Sequence, residues 1–167
     1  LIKKLATGAV ALLLVGLGVA PAHADAVVPV QAQIDAVLVE HPGGQQVSPT
    51  TVSWAGGAIL LTFADPRSSD SMDADPHGRA VGSCATGSYC AWSGTSYTGT
   101  KLSFTGCSAA GTESSLSLLG GAVRSLANAR TSGLVRSANG ASTVHLISPN
   151  TGITSNTSTL TKMVCTT

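Results

Sequence analysis

Residues 84–99 read CATGSYCAWSGTSYTG, from Cys84 to Gly99. Two cysteines enclose a short loop, and Trp92, Tyr97 and Gly99 follow as aromatic, four residues, aromatic, one residue, glycine. That spacing suits a β-hairpin whose loop folds back over its own strand. The two rings then meet in a corner, and the glycine supplies a backbone angle that side chains disfavour.

The N-terminus reads as an export signal over residues 1–24. Lys3 and Lys4 form a charged region, Ala9 to Val19 an apolar core, and Ala22-His23-Ala24 a small-residue cleavage point. The apolar run is short for a bilayer span and ends at Pro21. No later run is long enough for one, so the expectation is a secreted protein without membrane attachment after cleavage. In that compartment the even set Cys84, Cys90, Cys107 and Cys165 favours two disulfides over a metal site or a nucleophilic thiol. Three connectivities are open.

Residues 25–66 read as a small helix plus β-hairpin unit. Val30, Ile34, Val37 and Leu38 recur at helical spacing after Pro29, and His41-Pro42-Gly43-Gly44 stops the helix. Thr50 to Trp54 and Ala58 to Phe63 are β-prone runs joined across Ala55-Gly56-Gly57. Residues 67–81 are polar, acidic and Pro/Gly-containing, a linker by composition. Asp73, Asp75 and Gly78 hint at a calcium loop, but His77 takes a ligand position and no glutamate closes it. No metal is expected there.

Residues 82–167 alternate over short runs at Lys101 to Thr105, Leu134-Val135, Val144 to Ile147 and Leu160 to Cys165. Turn signals separate them at Asn139-Gly140, Pro149-Asn150 and Thr151-Gly152, and Gly120-Gly121 suggests a division between two halves. Many short strands with such turns indicate a mainly β sandwich with Greek-key connections. The apolar content is modest for a core, which suits disulfide support.

Charge is uneven. Residues 25–81 hold seven acidic and two basic side chains; beyond them stand Lys101, Arg124, Arg130, Arg136 and Lys162 against Glu113 alone. Five basic residues are too few to suggest a nucleic-acid partner, although an anionic cell-wall polymer fits such a surface. Zinc-peptidase, GxSxG and P-loop motifs are absent. Asp and Glu nearly vanish after residue 75, so neither a triad acid nor paired carboxylates can be assembled within the β region. The expectation is a non-enzyme without cofactor.

The CxxxxxC loop and the Trp92/Tyr97/Gly99 pattern resemble the βγ-crystallin Greek key, and in particular the actinobacterial secreted peptidase inhibitors of the metalloproteinase-inhibitor type. Arg124-Ser125-Leu126-Ala127-Asn128 is similar to a second segment of that family, so the resemblance runs from about Cys84 to Pro149. It implies a βγ-crystallin-like sandwich and a Cys84–Cys90 bridge, which leaves Cys107 with Cys165. It also implies that the Ser125 hydroxyl caps the hairpin corner, with Asn128 in the same motif. Gly121, Ala122, Val123 and Arg124 stand where crystallin-type calcium ligands would, so calcium is not expected.

The function so implied is binding and blocking of an extracellular metallopeptidase. The family's peptidase-binding loop corresponds to Val144, His145, Leu146, Ile147, Ser148 and Pro149, where this chain lacks the small disulfide that clasps that loop. The favoured reading of Val144 to Ile147 is a core strand, since strand alternation explains the same residues. Competing classes are a non-inhibitory wall-polymer or glycan-binding module and a small secreted toxin-like protein.

Overall fold

A computed structural model describes residues 28–65, 81–107 and 111–166. The expected export signal (1–24), nearly all of the expected linker, and Asp73, Asp75, His77 and Gly78 lie outside the described residues.

The helix forms where the apolar spacing placed it. α1 spans Val30–Glu40, preceded by Pro29, and buries Ile34 completely. The chain then turns at Gly43 (φ 89°), and Trp54 Nε1 donates to the His41 carbonyl at 3.1 Å, pinning the helix end to the first hairpin.

Eleven strands follow among the described residues: β1 (Gln45–Ser48), β2 (Thr51–Trp54), β3 (Ile59–Thr62), β4 (Tyr89–Trp92), β5 (Lys101–Phe104), β6 (Thr112–Ser115), β7 (Ser125–Asn128), β8 (Val135–Asn139), β9 (Ser142–Ile147), β10 (Thr151–Ile153) and β11 (Lys162–Cys165). They make two antiparallel sheets, one ordered β1-β2-β3-β5-β4-β7-β10 and the other β6-β11-β8-β9. Among the described residues the protein is a mainly β sandwich with one short α-helix.

The N-terminal hairpin is continuous with the later strands. β3 pairs along its whole length with β5, from Ile59 opposite Phe104 to Thr62 opposite Lys101. One register row therefore crosses the large sheet through Val52, Leu61, Leu102, Ala91, Leu126 and Ile153. Its first five members are fully buried, and they meet Val135, Ile147, Met163 and Cys165 from the small sheet in one core. Tyr89 stacks on Phe104 with ring centroids 5.1 Å apart, and its hydroxyl shares a 2.8 Å hydrogen bond with Ser114 Oγ on β6. One aromatic side chain thus ties the two layers.

Three strands depart from the sequence reading. β1 and β6 occupy stretches without alternating apolar residues, and Thr151-Gly152 lies in β10 rather than in a turn. The turn there is confined to 148–150, with Asn150 left-handed at φ 56°. Gly120-Gly121 falls where the chain leaves β6 for β7, passing from one sheet to the other.

Candidate functional site

The Cys84–Gly99 stretch folds as a braced corner on the outer face of the large sheet. Cys84 and Cys90 are bonded, and both are fully buried with Trp92, Ala127 and Ala129 in a small second core that Val81 and Tyr97 cover. The Trp92 and Tyr97 rings meet at a centroid distance of 5.1 Å, tilted by 59°. Gly99 has φ +80°, and a Cβ there would lie 2.5 Å from Ser93 Oγ, so both conformation and space require glycine.

Ser125 closes the corner. Its hydroxyl accepts the Tyr97 N–H at 3.0 Å and donates to the Gly94 carbonyl at 2.7 Å. Across the loop mouth, Lys101 Nζ donates to the Ser83 carbonyl at 2.8 Å. The second disulfide joins Cys107 to Cys165 on β11, linking residues 58 apart in sequence.

Asn128, fully buried at the end of β7, reaches across to the other sheet. Its amide donates to the Gly133 carbonyl at 3.0 Å and to the Ile147 carbonyl at 3.1 Å, while its oxygen accepts the Arg130 N–H. Two carbonyl partners for the buried amide offset its desolvation.

The Val144–Pro149 segment is mostly strand. Val144 to Ile147 belong to β9, which closes one edge of the small sheet; only Ser148, Pro149 and Asn150 form a turn. Leu146 is 65% exposed, opposite Arg136, whereas Ile147 is buried in the core. The two apolar neighbours therefore have different tasks, as strand alternation requires. His145 Nε2 donates to Asn156 Oδ1 at 2.9 Å, and Thr151 Oγ1 donates to the Ser148 carbonyl at 2.7 Å.

Asn156 carries no motif in the sequence, yet it organises this end of the molecule. It is 2% exposed; its amide donates to the carbonyls of Val123 and Ser158, and its backbone N–H donates to the Arg124 carbonyl. Gly121 to Arg124 and Asn156 to Thr159 line a shallow depression of about 150 Å³. Among the described residues no three His, Cys, Asp or Glu side chains gather as a metal site.

Lys162 pairs with Glu113 at 2.7 Å, and that contact holds the Glu113 carboxyl below the usual carboxylate range. Arg136 Nη1 donates to Thr143 Oγ1 and Arg130 Nη1 to the Thr166 carbonyl. These three basic side chains make contacts within the C-terminal half.

Together these features define a small disulfide-bonded β sandwich that presents a braced corner and an open sheet edge. Residues 77–138 match the model of Peptidase inhibitor family I36. The matched span holds the Cys84–Cys90 loop, the Trp92/Tyr97/Gly99 corner and Ser125 to Asn128, and ends before β9. No curated protein and no solved structure matches the chain. Two disulfides fit an extracellular protein, and among the described residues no helix is long and apolar enough to cross a membrane.

Proposed function

We propose that this chain is a secreted peptidase-inhibitor-like protein that binds an extracellular peptidase, of the metallopeptidase class first, and occludes its active-site cleft. The observation that carries this reading is the inhibitor-family match over 77–138, the span that contains the disulfide-bonded corner. A rigid scaffold is what such a role needs: an inhibitor ordered before binding loses little conformational entropy in the cleft. Both disulfides and the Ser125 and Asn128 side-chain bonds support that rigidity.

The test is inhibition by the purified protein of thermolysin-class and subtilisin-class peptidases, read as residual hydrolysis of a short peptide substrate. Stoichiometric loss of activity in either class supports the reading, and full activity at saturating protein rejects it. Arg124, which lines one depression with Thr157, Ser158 and Thr159, favours a second reading, a binder of anionic wall polymer. Salt-sensitive cosedimentation with purified cell walls, without peptidase inhibition, would select that reading.

A further inference from the structure

We infer that the depression between residues 121–124 and 156–159 binds one phosphate group, with Arg124 as its charged partner. The inference rests on the wall-polymer reading of that depression and deepens it by naming the group bound. That group is a phosphodiester of the polymer or phosphate free in solution.

Arg124 differs from the other basic side chains of residues 82–167. Lys101 donates to Ser83, Arg130 to Thr166 and Arg136 to Thr143, and Lys162 is paired with Glu113. Glu113 is the single acid of that span, so no carboxylate there is left for a further cation. Among the described Lys and Arg side chains, the exposed Arg124 guanidinium alone has neither a hydrogen bond nor an ion pair. A guanidinium is a planar fork of donors that grips an oxyanion by two parallel bonds.

Both walls of the depression are set before any ligand arrives. The Arg124 N–H donates to the Trp92 carbonyl at 2.8 Å, and the Arg124 carbonyl accepts the Asn156 N–H at 2.7 Å. The buried Asn156 amide donates to the carbonyls of Val123 at 2.7 Å and Ser158 at 2.8 Å. Its oxygen accepts the Ser158 N–H at 3.2 Å and the His145 Nε2 proton at 2.9 Å. Val123 and Leu160 belong to the core and anchor the two segments. A buried polar network satisfied in this way is rigid, and rigid donors lose little entropy on binding.

Asn156 thus occupies the carbonyls of Val123, Arg124 and Ser158, while the donor side chains stay open. The hydroxyls of Thr157, Ser158 and Thr159 have no hydrogen-bond partner among the described residues, and all three residues are exposed. They line the same depression as Arg124, and no acid lines it. One guanidinium and three hydroxyls select an anion. A carboxylate spends both oxygens on the guanidinium, whereas a phosphate group keeps further oxygens for the hydroxyls. The volume, about 150 Å³, is half that of the smallest ordinary ligand pocket, about 300 Å³. It admits one such group and leaves the rest of a polymer outside.

The experiment titrates the full secreted chain, nitrogen-labelled, with inorganic phosphate, with acetate and with a soluble polyol-phosphate polymer. Ionic strength is held constant with chloride, and the amide resonances of residues 121–124 and 157–159 are followed. Phosphate should shift them saturably, and acetate should bind more weakly. Arg124→Ala should weaken phosphate binding by about tenfold to a hundredfold, the effect of losing charged hydrogen bonds. Arg124→Lys should restore part of it, since the charge remains but the fork is lost. Arg136→Ala, at a residue outside the depression, should change nothing. Melting temperatures of all variants establish that the fold is intact.

Polymer bound far more tightly per phosphate than inorganic phosphate, with the gain lost in Arg124→Ala, assigns the site to a wall phosphodiester. Equal affinity per phosphate assigns it to free phosphate. Acetate binding as tightly as phosphate, or folded Arg124→Ala binding phosphate as well as the wild type, overturns the inference. If that variant also cosediments with cell walls as the wild type does, the wall-polymer reading survives through another surface. If the wild-type chain binds neither phosphate nor walls, both fall.

Discussion

Ser125 holds Tyr97 by its main chain: the serine hydroxyl accepts the Tyr97 N–H at 3.0 Å while donating to Gly94 at 2.7 Å. Tyr97 and Ser96 both have positive φ, 63° and 52°, a region that costs non-glycine residues energy. The corner therefore persists because distant strand β7 sets it, and the Trp92–Tyr97 ring contact depends on that bond. Ser125→Ala should destabilise the protein by about 2 kcal/mol, since two backbone groups lose a partner inside the corner. Denaturant unfolding followed by tryptophan emission reads this; a loss below about 0.5 kcal/mol would show that the rings hold the corner unaided.

Residues 28–62 complete the core rather than decorate it. Ile34, Val52 and Leu61 are fully buried with Leu102, Leu126 and Met163, and β3 covers the edge of β5. Each such side chain is worth roughly 1.5–3 kcal/mol of burial, which together rivals the whole stability of a small domain, about 5–15 kcal/mol. A chain beginning at Gly82 should therefore melt far below the full protein or aggregate through the bared β5 edge. Adding residues 25–65 as a separate peptide should restore part of the melting temperature. Equal melting of the short and full chains would refute this.

The sequence pattern places β2, β3, β5, β8, β9 and β11, of which β9 alone is a sheet edge. β5, β8 and β11 bury most of their residues, so their apolar pattern is visible, as is the i, i+3, i+4 pattern of α1, whereas β4 and β7 stand out through the Trp92/Tyr97/Gly99 and Ser125–Asn128 motifs. β1, β6 and β10 were not legible, and all three are sheet edges. Gln45-Gln46, Thr112 to Ser115 and Thr151-Gly152 bury little, so their conformation comes from the partner strand and not from their own composition. The corner residues were legible because a short motif carries them. Asn156 was not, because its role depends on Val123, 33 residues away, and on His145 in a different element.

The two disulfides should differ in weight. Closing a loop removes entropy from the unfolded chain in proportion to the logarithm of its length. With separations of 6 and 58 residues, Cys84–Cys90 and Cys107–Cys165 should contribute about 2 and about 4 kcal/mol. Replacing Cys107 and Cys165 together by alanine should lower the melting temperature more than replacing Cys84 and Cys90. The reverse order would mean that packing of the small pair against Trp92 and Ala127 outweighs chain entropy.

Tyr89 makes stability sensitive to alkali. Its side chain is fully buried, and burial pushes the phenol above its ordinary value of 10.0, only partly offset by the Ser114 hydrogen bond and the Arg130 charge. The folded state thus binds the phenolic proton more tightly than the unfolded chain. The resulting stability is fully present below the unfolded value and is lost as pH rises through the raised folded one. Between about pH 8 and about pH 11 the wild-type protein should lose more stability than Tyr89→Phe, which keeps the ring contact with Phe104 but has no proton to release. At neutral pH the same variant should be less stable by about 1 kcal/mol, because Ser114 Oγ loses its partner. Tyr97, also raised by burial, remains in both proteins, so the difference between their pH profiles isolates Tyr89. Parallel profiles for the two proteins would show that the buried phenol does not govern alkaline unfolding.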